Sequence, residues 1–322
     1  MWKLAETLPK PVLTPPSADC WPDQDRPLGL EFEFENVRLE QIQQDLEYDV
    51  WDPHADGSLM RGGVEFALRQ PIQARYVNAI IVDLLNAAKK HEADPSYRCG
   101  MHVHIQVSDL TSIELLRLFL LYALFEPSIF EWVGLYRAKT RFCKPWWEAN
   151  AHVRNLCKSL AAPTLKSAKL KQVPDTMRYS ALNVHAMWKY GTVEFRHLES
   201  TLSPERALNW LKIITALVYK AQDKSLQIAE LLDRVDKTSE EAFYREVFGH
   251  AADLMPRLPL NRDAYTVLQT AINIKKDEAQ SLDNISWDDL AGGNAEAEYV
   301  KLFVERHSKP KRKKARKKSK QE

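Results

Sequence analysis

The stretch LGLEFEFEN, Leu28 to Asn36, alternates without a break: Leu28, Leu30, Phe32 and Phe34 fall on one side of an extended chain, Glu31, Glu33 and Glu35 on the other. A period of two is the mark of a strand, because successive side chains point to opposite faces. The apolar side reads as half of a core. The acidic side is less ordinary. Glutamate is depleted in strands, and same-face neighbours lie only about 7 Å apart at ~3.4 Å rise per residue, so three carboxylates in a row repel one another unless a cation sits among them.

Working outward, CGMHVHIQV (Cys99 to Val107) alternates the same way, with Met101, Val103, Ile105 and Val107 opposite His102, His104 and Gln106. YDVWD (Tyr48 to Asp52) reads as a strand followed by a turn, PHADGS, and GVEFALR (Gly63 to Arg69) as a short strand carrying Glu65. YSALNVHAMW and TVEFRHL read as two strands joined by a tight hairpin at Tyr190-Gly191, the second placing Glu194 and Arg196 on one face. Helical periodicity spans about Gln73 to His91, then Ser112 to Phe125, opened by the capping box of Thr111 and Glu114 and ended before Pro127. Further helices are expected around 147–160 and from Pro204 to about Ala221, with Ser203 as N-cap, and in short pieces over 226–306. The pattern predicts an α+β fold, a largely antiparallel sheet with packed helices.

A solvated polar face on an antiparallel sheet needs no function, and each strand alone fits that explanation. The order of the pieces is more specific. It runs GxExE (Gly29, Glu31, Glu33), DGS (Asp56, Gly57, Ser58), the strand carboxylate Glu65, CGxHxH (Cys99, Gly100, His102, His104), RYxxxN (Arg178, Tyr179, Asn183) and TxEFR (Thr192, Glu194, Arg196). This series resembles the amidoligase family, part of the wider group of glutamine synthetase and gamma-glutamylcysteine ligase, the ATP-dependent carboxylate–amine ligases. The resemblance covers roughly residues 28–220.

The resemblance implies a curved sheet lining a glutamine synthetase-like funnel, with ATP at one end, an acceptor carboxylate at the other and Mg²⁺ between. It implies metal binding by Glu31, Glu33, Glu65 and His102, with Glu194 completing the shell. Arg196 would face the phosphoryl group in transfer, Arg178 and Asn183 would hold substrate, and His104 and Ser58 would lie near the nucleotide. The substrates would be a small-molecule or peptide carboxylate and an amine, joined through an acyl phosphate. The donor set suits that chemistry, since hard divalent ions prefer oxygen and Mn²⁺ also tolerates imidazole nitrogen. No GxxxxGK[ST] loop is present, in keeping with phosphates held through metals. Departures from the family pattern place Arg69 beside the acceptor pocket and make Arg137 and Arg141, with Phe142, secondary candidates.

The 322 residues are 45% hydrophobic and 28% charged, a globular composition. The expected divisions are a proline-rich arm (1–27), a catalytic domain (28–222), a helical extension on the same domain (223–307) and a disordered basic tail (308–322). The longest apolar run, LLRLFLLYALF from Leu115, falls short of the roughly 20 residues that span a bilayer and reads as a buried helix. Four cysteines without a CxxC pair, and no signal peptide at the start, suggest reduced thiols in a cytoplasm. The net charge of +1 conceals an asymmetry: KPKRKKARKKSKQE, from Lys309, carries nine Lys/Arg, leaving 36 basic against 43 acidic residues elsewhere. That tail fits nucleic acid or an acidic partner, although an acidic body argues against nucleic acid as the main ligand. Two more functions are compatible with the same residues: a Glu/His metallohydrolase that ignores nucleotide, and an inactive relative used as a binder.

Overall fold

In the computed structural model, residues 26–148, 178–226 and 239–262 are described. The chain runs β1 (Pro27–Phe34), α1 (Leu39–Asp45), β2 (Trp51–Ala55), β3 (Val64–Leu68), β4 (Ile72–Gln73), α2 (Val77–Lys90), β5 (Met101–Gln106), α3 (Ser112–Val133), β6 (Leu182–Asn183), α4 (Ala186–Tyr190), β7 (Thr192–Phe195), α5 (Pro204–Gln222) and α6 (Glu240–Phe248). Among these residues one open sheet has the order β2-β3-β1-β5-β7-β6, with β4 paired to the start of β1, and every pairing is antiparallel.

The apolar side of that sheet is the core. Leu28, Leu30, Phe32, Phe34, Phe66, Met101, Val103, Ile105, Val193 and Phe195 are buried in one cluster with the inner faces of α2 and α5. Helix α3 is apolar nearly all round, which a helix can be only when neighbours cover every side. Phe125 on α3 packs among Phe243, Tyr244 and Phe248 of α6, so the described part of the C-terminal region joins the same core. The capping box stands as expected: Thr111 Oγ1 accepts the Glu114 N–H, and the Glu114 carboxylate accepts the Thr111 N–H at 2.7 Å. Ser203 caps α5 by accepting the Arg206 N–H. Cys99 and Cys143 are buried free thiols, pushed up by that burial to about 11 and about 12. No helix among the described residues is long and apolar enough to cross a membrane.

Four local expectations change. Helix α3 continues through Pro127 to Val133. The buried Ile129, Phe130 and Val133 hold its last turns against the missing hydrogen bond. There is no two-strand hairpin at Tyr190-Gly191. Strand β6 has two residues, α4 follows, and Gly191 at φ 68° ends that helix before β7 begins. Glycine with positive φ serves a hairpin or a helix C-terminus equally well, so the sequence signal is ambiguous there. The third change is in β2, which runs through Pro53 to Ala55, a proline that an edge strand tolerates. Its turn begins later, where the Asp56 side chain accepts the Ser58 N–H at 2.6 Å. Lastly, the polar face is not solvated: all eight residues of β1 are buried or nearly so. Most of the helix expected over 147–160 and of the 226–306 region, the arm before Arg26 and the basic tail lie outside the described residues.

Behind the sheet, Tyr122 on α3 donates to Glu126 Oε1 at 2.7 Å and lies 2.9 Å from His197 Nε2. Burial pushes the Glu126 carboxyl up to about 8, against the pull of the Trp146 N–H and the Tyr122 hydroxyl, and it pushes His197 down to about 3. The folded protein therefore keeps a proton on Glu126 that the unfolded chain releases above its ordinary pKa of 4.5. Stability from this group is full below 4.5 and is lost as pH rises to about 8, at up to about 1.4 kcal/mol per pH unit. Glu126→Gln, which keeps the accepting oxygen and cannot ionise, is expected to flatten that decline in urea midpoints measured across the window. An unchanged slope would mean that Glu126 is charged in the fold.

Candidate functional site

The sheet's register assembles the site. Glu33 on β1 lies opposite Glu65 on β3, which lies opposite His54 on β2. On the other side Glu31 lies opposite His102 on β5, and His104 opposite Glu194 on β7, which in turn faces Asn183 on β6. Because the side-chain period is two, these residues share one face, and a one-residue slip would send them into the core. Over this face lies a cavity of about 460 Å³ whose lining includes Glu31, Glu33, Asp56, Glu65, His102, Glu194 and Arg196.

Two groups of ligand atoms stand side by side. Glu31, His102 and Glu194 each offer an atom within 4.8 Å of the others, and so do Glu33, Asp56 and Glu65. The second group includes a buried Glu65 oxygen, Oε1, that receives no hydrogen bond. The first group is buried and includes one imidazole nitrogen; the second is all carboxylate, with Asp56 half-buried, and the donor types of both suit a divalent cation. Glu35, the third carboxylate of β1, is used differently: its Oε1 accepts the Met60 N–H at 2.8 Å and ties down the loop after β2.

The neighbours of these ligands hold them in place. The Gly100 N–H donates to Glu33 Oε2 at 2.6 Å, and a Cβ on Gly100 would stand 2.6 Å from His102 Nε2. Any residue larger than glycine would therefore displace the His102 ring and crowd the Glu33 carboxylate. Asn183 donates to Glu194 Oε2 at 2.6 Å and accepts the His185 N–H at 2.9 Å, so it orients a carboxylate. His104 accepts from or donates to Thr192 Oγ1 at 3.0 Å, while its Nε2 lies 3.7 Å from Glu31 Oε1 and 3.9 Å from Glu194 Oε2. Ser58 and Arg178 line the cavity as well, Arg178 over the ring of Tyr179.

Arg196 supplies the positive charge at the centre. Its Nη1 pairs with Glu194 Oε1 and its Nε donates to the Phe142 carbonyl at 3.1 Å. Burial opposes its charge, but Glu194, Glu31 and Glu33 more than compensate and raise its pKa. Burial likewise opposes ionisation of Glu194, yet Arg196, His104 and His102 hold it below the usual carboxylate range. Glu33 is raised by burial, with His102 and the Gly100 N–H pulling the other way. Burial and Arg196 disfavour a charged His102, but Glu33, Glu31 and Glu194 prevail and raise it. The cluster's charges depend on one another.

The expected residues Glu31, Glu33, Ser58, Glu65, His102, His104, Arg178, Asn183, Glu194 and Arg196 all line this one cavity. Three secondary candidates fare differently. Arg137 lines it but is bound to the carbonyls of His197 and Arg196, a bracing role. Arg141 lies over Phe142 and is absent from the lining, and Arg69 pairs with Asp49 on the exposed side at 2.8 Å, away from any acceptor pocket. The sequence pattern does not mark Asp56 as a ligand, nor His54 at all. The signal for both is the alternation Asp52, His54, Asp56, which Pro53 masks by reading as the start of a turn.

A family model described as "Putative amidoligase enzyme" matches residues 71–218. No curated protein matches the chain. The matched segment carries His102, His104, Arg178, Asn183, Glu194 and Arg196, while Glu31, Glu33 and Glu65 come to them across the sheet from before it. Over that segment, somewhat less than half of the chain, the protein is similar to this family.

Arg196 is largely buried and shared by several carboxylates, so its removal leaves their buried negative charge without this opposite charge. Arg196→Met, kept in chelator, is expected to lose about 3–5 kcal/mol in urea unfolding. Adding Glu194→Gln should restore part of that loss. A double variant no better than the single one would show that the pair is not electrostatically linked.

Proposed function

We propose that the protein is an amidoligase, an ATP- and Mg²⁺-dependent enzyme that joins a carboxylate to an amine through an acyl phosphate, on a glutamine synthetase-like funnel. One observation carries the reading: two cation-fitting carboxylate groups adjoin on the floor of a single cavity, with the Arg196 guanidinium beside them. A carboxylate does not condense with an amine in water until one of its oxygens becomes a leaving group. In the first step the γ-phosphoryl of ATP moves to an acceptor carboxylate oxygen; the bond to ADP breaks as the new phosphorus–oxygen bond forms. In the second, the amine nitrogen attacks the acyl carbon, phosphate leaves, and the nitrogen gives up a proton to a base.

Phosphoryl transfer is chiefly positioning and neutralisation of charge. Glu31, His102 and Glu194 would hold one cation, and Glu33, Glu65 and Asp56 another. Bound there, Mg²⁺ would act as a Lewis acid and template on the phosphoryl oxygens. Arg196 in the free protein is occupied by Glu194. Once Glu194 turns to another partner, the guanidinium fork is free to grip phosphoryl oxygens in the bidentate manner that suits it. Asn183 keeps the Glu194 carboxylate in register. Arg178 and Lys189, which also line the cavity, provide positive charge for the acceptor carboxylate, a small molecule or a peptide.

Thermal melts with Mg²⁺, with ADP and with both test this without knowledge of the substrates. ADP should stabilise only together with Mg²⁺, by about 2.7 kcal/mol at a hundredfold excess over its dissociation constant. Glu33→Gln or Glu194→Gln should abolish the joint effect. Stabilisation by metal with no response to nucleotide would overturn the ligase reading and favour a metallohydrolase.

A further inference from the structure

We propose that the acceptor of the ligation is an acidic peptide segment, gripped by Arg98, Arg178 and Lys189 at the mouth of the cavity and laid across the exposed side chains of Tyr97, Leu135 and Tyr136. The inference rests on the ligase reading and names the class of its acceptor.

Three cations carry the first part of the argument. Arg98, Arg178 and Lys189 line the cavity, yet all three are exposed. Elsewhere on the body, exposed arginines such as Arg38, Arg69 and Arg245 meet a carboxylate. These three meet none within ion-pairing distance among the described residues. Each lies instead over the ring of a chain neighbour, Tyr97, Tyr179 and Tyr190, at 5.9, 4.5 and 4.8 Å from the centroid. A cation resting on an aromatic face keeps its charge and most of its donors for a ligand. The charges are also spread out. Arg98 precedes β5, and Lys189 lies by the far end of that strand, where the Val107 N–H donates to the Gly191 carbonyl at 2.9 Å. Six steps, from Gly100 to Gln106, cover about 20 Å at ~3.4 Å each. One small carboxylate cannot answer charges so far apart, whereas several carboxylates along an extended chain can. The phosphates of a nucleotide do not take their place, because in this reading they lie with the cations and Arg196.

An apolar surface continues from the same mouth. Tyr97, Leu135 and Tyr136 are 69%, 56% and 47% exposed and, with Met60, are the exposed large apolar side chains among the described residues. They adjoin one another: Arg137 Nη1 donates to the Tyr97 carbonyl at 3.4 Å, and Tyr136 lies beside Glu199, whose backbone bridges to Gly100. Arg98, next in the chain to Tyr97, joins this surface to the cavity lining. Large apolar side chains left in water beside a cleft mark an interaction surface. Surface outside the cavity offers nothing to an acceptor small enough to fit within its volume of about 460 Å³. A chain that enters from outside uses both.

Fluorescence anisotropy on the full chain, with Mg²⁺ and ADP present, tests this with a labelled peptide that alternates glutamate with leucine and tyrosine, and with its glutamine counterpart. The wild type should bind the acidic peptide and leave the other free. Arg98→Gln should weaken binding about fivefold and Arg98→Glu further, Arg98→Lys should stay near wild type, and Tyr97→Ser with Tyr136→Ser should match Arg98→Gln. These side chains are exposed, so the variants should melt as the wild type does. The basic tail attracts an acidic peptide equally in every variant, so unchanged binding in all of them overturns the proposal. Equal affinity for the two peptides overturns it too. So does a wild type that ignores both peptides while ADP and Mg²⁺ together still raise its melting temperature, and the ligase reading then stands with a small acceptor. A wild type with no joint response to ADP and Mg²⁺ overturns the ligase reading itself, whatever peptide it binds.

Discussion

Buried carboxylate charge is the constraint on which this molecule turns. Glu31, Glu33, Glu65 and Glu194 are each about 95% buried and lie on neighbouring strands of one sheet. Removing such groups from water is costly unless each finds an opposite charge or a donor. In the free protein the compensation comes from Arg196, the Gly100 N–H and Asn183, with His102 and His104 close by. These partners stabilise Glu33 and Glu194 but leave Glu65 Oε1 without a hydrogen bond. An arrangement of this kind is poised for cations, which would satisfy the remaining demand and release Arg196 from its present role.

The opposite face of the sheet makes that arrangement sustainable. Phe32 and Phe34 stack on each other, and Trp51 and Phe66 meet them edge to face, so the strand bearing Glu31 and Glu33 is held by aromatic packing from behind. The same packing holds the register. A slip of one position would bury the carboxylates in the core and expose the rings, a loss on both faces at once. The rigidity of the site thus comes from residues that never touch it. Even the polar chain of Tyr122, Glu126 and His197 works from this side, joining α3 to the segment just after β7.

Much of this was legible in the chain. The alternation of LGLEFEFEN and CGMHVHIQV marks β1 and β5 with their polar sides, and Ser203 with Pro204 marks the start of α5. What misled were signals with two meanings. Pro127 reads as a stop but lies inside α3, where burial on all sides outweighs the lost hydrogen bond. Gly191 suits a hairpin and closes a helix instead. Pro53 reads as a turn but sits in an edge strand, and it conceals that His54 and Asp56 lie beside Glu65.

Residue type and local period, then, determined which side chains lie on the polar face, because alternation is a property of each strand alone. Which strand lies beside which is decided by pairings between residues dozens of positions apart, such as Glu33 with Glu65 and Glu31 with His102. Only that pairing separates the candidate ligands into two groups and sets His54 against Glu65. Burial of the polar face was likewise beyond local reading, since the cover comes from segments distant in sequence, such as Asp56, Phe142 and Tyr179.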